Sequence, residues 1–494
     1  MELGLWLAVA WLGWLLWREA QLRWHRRPPL VTSMVPFVGC MVALGRGPPA
    51  RFIARCREKH GPVFTVHVGG RHLTFVMDPQ LFPSFFDETS GAVDFTAATQ
   101  PFLTLGFGVP RDAYLRHHGP LLALVRNALA PARLDARHYA EVLTSSWARM
   151  LAQTWGRRRP DDGRQSPAPA RPLLADLRHA VFYASLRALF GDGFGDDAAV
   201  REQFRQFDDR FELASSGVPH ALLPSFTGAR GALLAHLDAV SRGFRWAEDA
   251  AGGGSDSALD AAAPFLRPGE ALPPLLAQEL LRLVQARVAS SWLLAVLWAA
   301  EANSVPMAFW VVALLLSDAG GARARAAREV AALPPCSADA PWTHAQYEAL
   351  PFVRACVLEA IRVRSAPMIV RMAVRPTPVG GFRVPAGHFL CLSPLWNGLD
   401  HGGPAFQPER WLAADGTLLP APAGGAYADI AFGGGSYRCP GRSFALLEIA
   451  LLAALVLAAY PDAQLSGPLP QPDWTPLVGV QRPADDSLAI RPWP

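Results

Sequence analysis

Near its carboxyl end the chain reads Phe432-Gly433-Gly434-Gly435-Ser436-Tyr437-Arg438-Cys439-Pro440-Gly441, and an apolar stretch with helical character, residues 442–459, follows at once. No other segment restricts the fold as much. A lone cysteine in a glycine-rich loop at a helix amino terminus is the setting that stabilises a thiolate. Backbone N–H groups and the helix dipole favour the anion, which then ligates a soft metal centre. Glycines let the backbone approach a flat cofactor where a Cβ would obstruct it. Phe432 is placed to pack beside the sulfur and keep water out. The competing interpretation of the same residues is a buried cysteine beside a glycine-rich turn.

Composition permits a large body around such a loop. Of 494 residues, 51% are hydrophobic and 18% charged, so a sizeable core forms and wholesale disorder is excluded. Length alone suggests about three domains. Lys+Arg 46 against Asp+Glu 42 leaves a net charge of +4, spread along the chain. A nucleic-acid binder would carry a basic stripe, so nucleic acid is not an expected partner. The six cysteines (Cys40, Cys56, Cys336, Cys356, Cys391, Cys439) include no CxxC pair. That argues against a disulfide framework and a structural zinc site, and fits free thiols facing a reducing compartment.

Residues 3–17 (LGLWLAVAWLGWLLW) form an uninterrupted apolar run of 15. It spans roughly 22 Å, short of the ~30 Å hydrocarbon core. Ala20, Leu22 and Trp24 extend it, with Arg18 and Arg23 snorkelling to the headgroups. The alternative, a cleaved signal peptide, would need a basic start where the chain has Glu2, and small residues where it has Trp17-Arg18-Glu19. Arg18, Arg23, Arg26 and Arg27 follow the run and leave the remainder in the cytosol. Residues 1–27 are therefore expected to be a signal anchor and basic flank, in contact with membrane lipid.

Residues 59–79 (KHGPVFTVHVGGRHLTFVMDP) carry a hairpin signal centred on Gly69-Gly70. The middle of the chain is helical in character, broken by polar, Gly- and Pro-rich excursions at 156–172 and 250–274. Residues 280–316 form one long helical candidate, in which Pro306 should remove a backbone hydrogen bond and kink the helix unless the gap is filled. Residues 375–422 suit short strands and a meander.

The spacing F-x-x-G-x-x-x-C-x-G, met by Phe432, Gly435, Cys439 and Gly441, resembles the heme-binding signature of the cytochrome P-450 family. Of three E-x-x-R matches, Glu202/Arg205, Glu279/Arg282 and Glu359/Arg362, only the last lies on an apolar helix at the family's distance from the cysteine loop. The other two are expected to be exposed pairs along helices. Residues 406–411 (FQPERW) follow in the family's order. The resemblance runs from the anchor to Pro494, which replaces the three-domain prior with one catalytic domain, 28–494. It implies a mainly α fold with small β-sheets behind an N-terminal anchor helix. It further implies heme b ligated by Cys439, with Phe432, Gly435, Arg438 and Gly441 around it, and a buried network of Glu359, Arg362 and Arg410 bracing the loop. Arg371 matches the strand arginine that grips a heme propionate. Dioxygen is the implied cosubstrate. The chain has no G-x-G-x-x-G after a strand, so electrons would come from NADPH through a separate NADPH–cytochrome P-450 reductase.

Several residues depart from the family's commonest pattern. The acid and threonine of the long helix are replaced by Ala302 and Asn303, with Glu301 one position off. An amide both donates and accepts, so Asn303 can still hold a water or a peroxide. Tyr437 stands where a basic residue is usual, and no W-x-x-x-R occurs near 111–126, leaving Arg116, His117 and His118 as candidates for that contact. The Asn303-x-x-Pro306 pattern is similar to a branch that holds the sterol 7α- and 12α-hydroxylases and prostacyclin synthase. Residues 303–310, 393–396, 431–448 and 477–483 favour its oxysterol 7α-hydroxylase subfamily. That resemblance implies 7α-hydroxylation of an oxysterol such as 24-hydroxycholesterol, in cholesterol catabolism and bile acid synthesis at the endoplasmic reticulum membrane. An elongated apolar pocket is then required. Its candidate lining is 94–108, 211–226, Asn303, 366–370 (Ala366, Met368, Ile369 and Val370 above all) and 477–481 (Leu477 and Val478 above all), any apolar member of which is equally consistent with ordinary core. A prostacyclin-synthase-like peroxide isomerase, a sterol 12α-hydroxylase and a non-catalytic heme-binding protein remain open as alternatives.

Overall fold

The computed structural model describes residues 26–33, 38–156, 168–192, 197–250, 276–284, 286–419 and 430–493. The apolar run at 3–17 and much of the two excursions lie outside the described residues. Strand β1 (Leu30–Val31) runs parallel to β2 (Val63–Val68), which returns as β3 (Arg71–Val76) in antiparallel register from Val63↔Val76 to Val68↔Arg71. Between them Gly69 and Gly70 adopt φ of +54° and +74°, the conformation a two-residue hairpin turn demands. The remaining strands are β4 (Val93–Asp94), β5 (Arg171–Pro172), β6 (Ile369–Ala373), β7 (Thr377–Val379), β8 (Phe382–Val384), β9 (Phe389–Leu392), β10 (Gln464–Leu465) and β11 (Ala489–Arg491). They form a sheet of order β1-β2-β3-β9-β6-β4, a sheet β10-β11-β5 and the hairpin β7-β8. The sheets are small, and the fold is mainly helical.

Helices of eight residues or more are α1 (Pro49–His60), α2 (Phe95–Phe107), α3 (Arg111–Ala128), α4 (Tyr139–Thr154), α5 (Leu173–Phe190), α6 (Ala198–Ser215) and α7 (Pro224–Ala250). They continue as α8 (Leu276–Leu283), α9 (Ala286–Leu316), α10 (Ala322–Ala331), α11 (Pro351–Arg364), α12 (Pro394–Gly402) and α13 (Arg442–Ala459). Helix α9 is the axis of the molecule, packed on α5, α7, α11 and α13. Both α9 and α13 are long and apolar enough to cross a membrane, yet 78% and 67% of their most apolar windows are buried, which makes them core helices.

Three expectations need correction. The helical candidate 280–316 is two helices, α8 and α9, divided after Leu283. Pro306 does not end α9, which runs 31 residues through it. In the segment 375–422, among the described residues, the strands stop at Leu392, and Pro394 starts α12 from the first helical position, where a missing N–H costs nothing. Glu279 pairs not with Arg282 but with the buried Arg137, at 3.1 Å. Glu202 and Arg205 do form an exposed pair, at 2.6 Å.

Three fully buried tryptophans anchor the main core. Each donates its indole N–H to a carbonyl: Trp147 to Ala180 (2.9 Å), Trp310 to Gln481 (2.6 Å) and Trp342 to Pro334 (2.8 Å). Burying a tryptophan costs little when that one donor is met. The Trp310 bond has a second consequence, because it ties α9 to the loop at 477–481.

Candidate active site

The cysteine loop is shaped before any side chain acts. Gly433 and Gly435 sit at φ of +75° and +64°, in the left-handed region where a Cβ is strained. The Cys439 N–H donates to the Phe432 carbonyl at 2.8 Å, closing the loop, and α13 begins three residues later. Backbone N–H groups of Gly441 and Arg442 face the Cys439 sulfur. Burial pushes the thiol up from its ordinary value, while those N–H groups and the charges of Arg442 and Arg438 draw it down. Protein surrounds the sulfur, while part of Cys439 remains exposed. Phe432 is half-buried, with the Arg442 guanidinium 5.4 Å from its ring centre.

The glycines serve more than a cofactor. A Cβ on Gly434 would lie 2.9 Å from the Phe86 ring, and one on Gly435 would lie 2.9 Å from the Phe86 carbonyl oxygen. Phe86 closes the short helix Phe82–Phe86, so these two positions fit the loop to its neighbour. Only Gly441 faces the thiol, with its added Cβ 4.0 Å from Sγ.

Arg371, on β6, is 1% exposed. It donates to the Val370 carbonyl (2.9 Å) and to the Gly434 carbonyl (3.4 Å), and its Nε lies 2.5 Å from Glu88 Oε1. Guanidinium and carboxylate thus hold each other beside the loop. On the other side, Arg126 donates to the Ser436 carbonyl at 2.6 Å. Neither Glu88 nor Arg126 carries a motif in the sequence. Among the three candidates for the missing basic contact, Arg116 is exposed and His117 is buried. His118 stacks with Tyr114 (4.7 Å), Phe95 (5.8 Å) and Tyr437 (5.9 Å), and its Nε2 is buried with no partner. The Phe95 ring also lies 4.9 Å from the Arg371 guanidinium, so His118 and Arg371 share one cluster beside the loop. Tyr437 belongs to the same stack, and Arg438 is exposed.

On α9, Ala299 and Asn303 are exposed one turn apart although the helix is packed along most of its length. That stripe looks into the interior. Asn303 Oδ1 accepts the Val480 N–H at 2.8 Å. The loop carrying Val480 is held from several sides. Glu212 on α6 accepts the Leu477 N–H (2.9 Å), Met368 N–H donates to the Leu477 carbonyl (2.7 Å) and Gln481 N–H donates to the Arg364 carbonyl (3.0 Å). Of the candidate pocket residues, Met368, Val370 and Leu477 pack on the cluster under β2 and β3. Ile369 points to the opposite side, onto Val63 and Phe82, as strand alternation requires. Ala366 is buried and Val478 half-buried.

Glu301 faces away from Asn303. It is 1% exposed, both oxygens lack partners, and it lines a small cavity with Arg178, Asp208, Pro306 and Arg482. Burial, then the charges of Glu448 and Asp208, holds its carboxyl well above the ordinary range. Glu448 on α13 is pushed up to about 7 by burial, against the Ser185 and Ser304 hydroxyls that donate to it. An acid whose pKa is higher in the fold than in the unfolded chain loses stability as pH rises between the two values. The Glu448 contribution is therefore full below about pH 4.5 and lost by about pH 7. Replacing Glu448 by glutamine should remove on the order of 3 kcal/mol from the fall in stability across that window. Urea unfolding at several pH values checks it, and an unchanged slope would count against a protonated Glu448.

Behind the loop, Glu359 on α11 is fully buried. Its two oxygens accept from Arg362 Nε (2.9 Å) and Nη2 (2.7 Å), Arg410 Nε (3.1 Å), the Gln407 N–H (2.9 Å) and Trp411 Nε1 (2.9 Å). Arg362 completes its donors on the Gly398, Gly403 and Ala405 carbonyls at 2.7–2.9 Å. Trp411 packs on Ala355 and Leu358 together with Leu446, in the first turns of α13. The network thus bears on the helix that the cysteine loop starts. A Cβ on Gly402 would lie 2.6 Å from Arg410 Nη1, so that glycine makes room for two guanidinium groups.

These residues fit a flat group with a soft metal at its centre and carboxylates at its edge. The loop offers one soft sulfur donor, and His118 Nε2 is buried without a hydrogen-bond partner in the aromatic cluster that also holds the Arg371 guanidinium. The family model of Cytochrome P450 matches residues 28–237 and 303–484. The chain is 29% identical to 24-hydroxycholesterol 7-alpha-hydroxylase of Mus musculus over 98% of its length and 97% of that protein's. It is 24% identical to lanosterol 14-alpha demethylase of Mus musculus over 92% of its length and 86% of that protein's. Among solved structures it resembles the retinoic acid-bound cyanobacterial CYP120A1, with a TM-score of 0.69 and 18% identity, covering 94% of this chain and 98% of that one. The matched cysteine loop, the helical fold around it and the whole-chain similarity make this protein a member of the cytochrome P450 family.

Proposed function

We propose that the protein is a heme-thiolate monooxygenase that hydroxylates the ring of an oxysterol, 24-hydroxycholesterol or a close relative, at the 7α position. The observation that carries the substrate class is the similarity to 24-hydroxycholesterol 7-alpha-hydroxylase along 98% of the chain. Residues 28–494 form the catalytic domain. Residues 1–27 are a single-pass anchor that holds it on the cytosolic side of the endoplasmic reticulum membrane, where a lipid-soluble substrate is concentrated.

In this reading Cys439 Sγ would hold the iron of heme b. When bound, the heme supplies the activation of dioxygen and the transfer of one oxygen atom, with electrons from NADPH through a separate reductase. The chain's own residues do the rest. The Gly441 and Arg442 N–H groups stabilise negative charge on the sulfur. Arg371 and His118 hold the carboxylate edge, the first as a charged fork and the second through its unmet Nε2. Phe432 and the aromatic stack of Phe95, Tyr437 and His118 exclude water beside the loop. Met368, Val370, Leu477 and Val478 supply an apolar wall, and Asn303 a polar group on the facing helix.

Expression with a P-450 reductase, a screen of hydroxylated cholesterols and product identification by mass test the proposal. A 7α-hydroxylated product that requires NADPH, reductase and dioxygen is the expected result. Rearrangement of a prostaglandin endoperoxide without reductase, and no oxysterol product, would overturn it.

A further inference from the structure

Asn303 is less versatile than its side chain suggests. A backbone N–H can only donate, so the contact at 2.8 Å with Val480 assigns Oδ1 to the side of the 477–481 loop and leaves Nδ2 on the other. Gly479 enforces the arrangement. It sits at φ +101°, and an added Cβ would lie 2.8 Å from Asn303 Oδ1, so nothing larger than glycine lets the loop come this close. The loop itself cannot easily retreat, being bonded to Glu212, Trp310, Met368 and Arg364. Meanwhile Asn303 is exposed on an otherwise packed helix, and its NH2 has no partner among the described residues.

We propose that Asn303 is a specificity-determining residue that turns its Nδ2 donors to the interior while Oδ1 is held by the loop, oriented by Gly479 and Val480, and that it recognises an acceptor oxygen of the bound sterol. The inference rests on the oxysterol reading above and adds the polarity of the contact. A donor-only group takes a ketone as readily as an alcohol, because both oxygens accept. An acceptor in the same place takes the alcohol alone.

The test uses the full-length holoprotein and two matched pairs of probes. One pair is 24-hydroxycholesterol with its 24-ketone, and the other is the same alcohol with its 3-ketone. Binding is read from the spin-state change of the ferric protein and from tryptophan fluorescence. The wild type should bind alcohol and ketone of each pair within a few-fold. Asn303→Asp keeps an oxygen for the Val480 N–H but loses the donors. At about pH 8, where the new carboxylate is ionised, it should weaken one of the two ketones about tenfold or more relative to its alcohol. Asn303→Ala should weaken alcohol and ketone of that pair alike.

If the wild type binds these sterols and Asn303→Asp keeps its alcohol-to-ketone ratios, the donor assignment falls while the substrate reading stands. If the wild type binds none of them, both fall together. An acceptor oxygen can also belong to a diatomic gas at the cofactor. A change confined to the carbon monoxide stretching frequency of the reduced variant would place the donors there and overturn recognition of the sterol.

Discussion

Cys439→Ser is expected to leave a folded protein that oxidises no sterol. The exchange alters one atom in a loop whose shape is set by backbone bonds, notably Cys439 N–H to the Phe432 carbonyl at 2.8 Å. Burial raises the thiol above its ordinary value, and two N–H groups and two arginine charges act in the opposite sense, towards the anion. A serine hydroxyl does not ionise near neutral pH, so it cannot give iron the charge a thiolate gives. Circular dichroism should match the wild type while turnover drops to background. Oxidation of sterols at more than a few per cent of the wild-type rate would mean that another residue carries the iron.

Glu359→Ala should be the most damaging substitution outside the loop. Five donors converge on this one buried carboxylate, two of them from Arg362 and one from Arg410. Removing it leaves the Arg362 guanidinium buried with its countercharge gone, a change that costs about 3–5 kcal/mol. Domains of this kind have only about 5–15 kcal/mol to lose. Because Trp411 and Leu446 transmit the network to the start of α13, cofactor retention should fall with stability. Denaturant unfolding and the heme-to-protein ratio measure both. A variant within about 1 kcal/mol of the wild type would mean that the network is redundant.

What could be read from the sequence was what is written within a few residues. The cysteine loop, the Gly69-Gly70 turn and the Glu359/Arg362 pair each specify their geometry locally, through φ, spacing or helix periodicity. Apart from Arg410, which the resemblance joined to Glu359, partners distant in the chain were not legible. Arg362 needs carbonyls at 398, 403 and 405, and Arg371 meets Glu88, which no motif marks. His118 separates from Arg116 and His117 only when Phe95 and Tyr437 are packed against it. Asn303 was visible as an unusual residue, but the direction of its amide depends on Val480, 177 positions away. Gly434 and Gly435 suggested close approach correctly, and it took the fold to name Phe86 as one of the surfaces approached. Helix α9 continues through Pro306, packed on four other helices.

The optical spectrum of the purified holoprotein, reduced and exposed to carbon monoxide, tests the central claim most directly. Ligation by the Cys439 sulfur predicts the strongly red-shifted main band of a thiolate-bound heme, absent from Cys439→Ser. A band at the position given by imidazole coordination, or an identical spectrum from the serine variant, would contradict it.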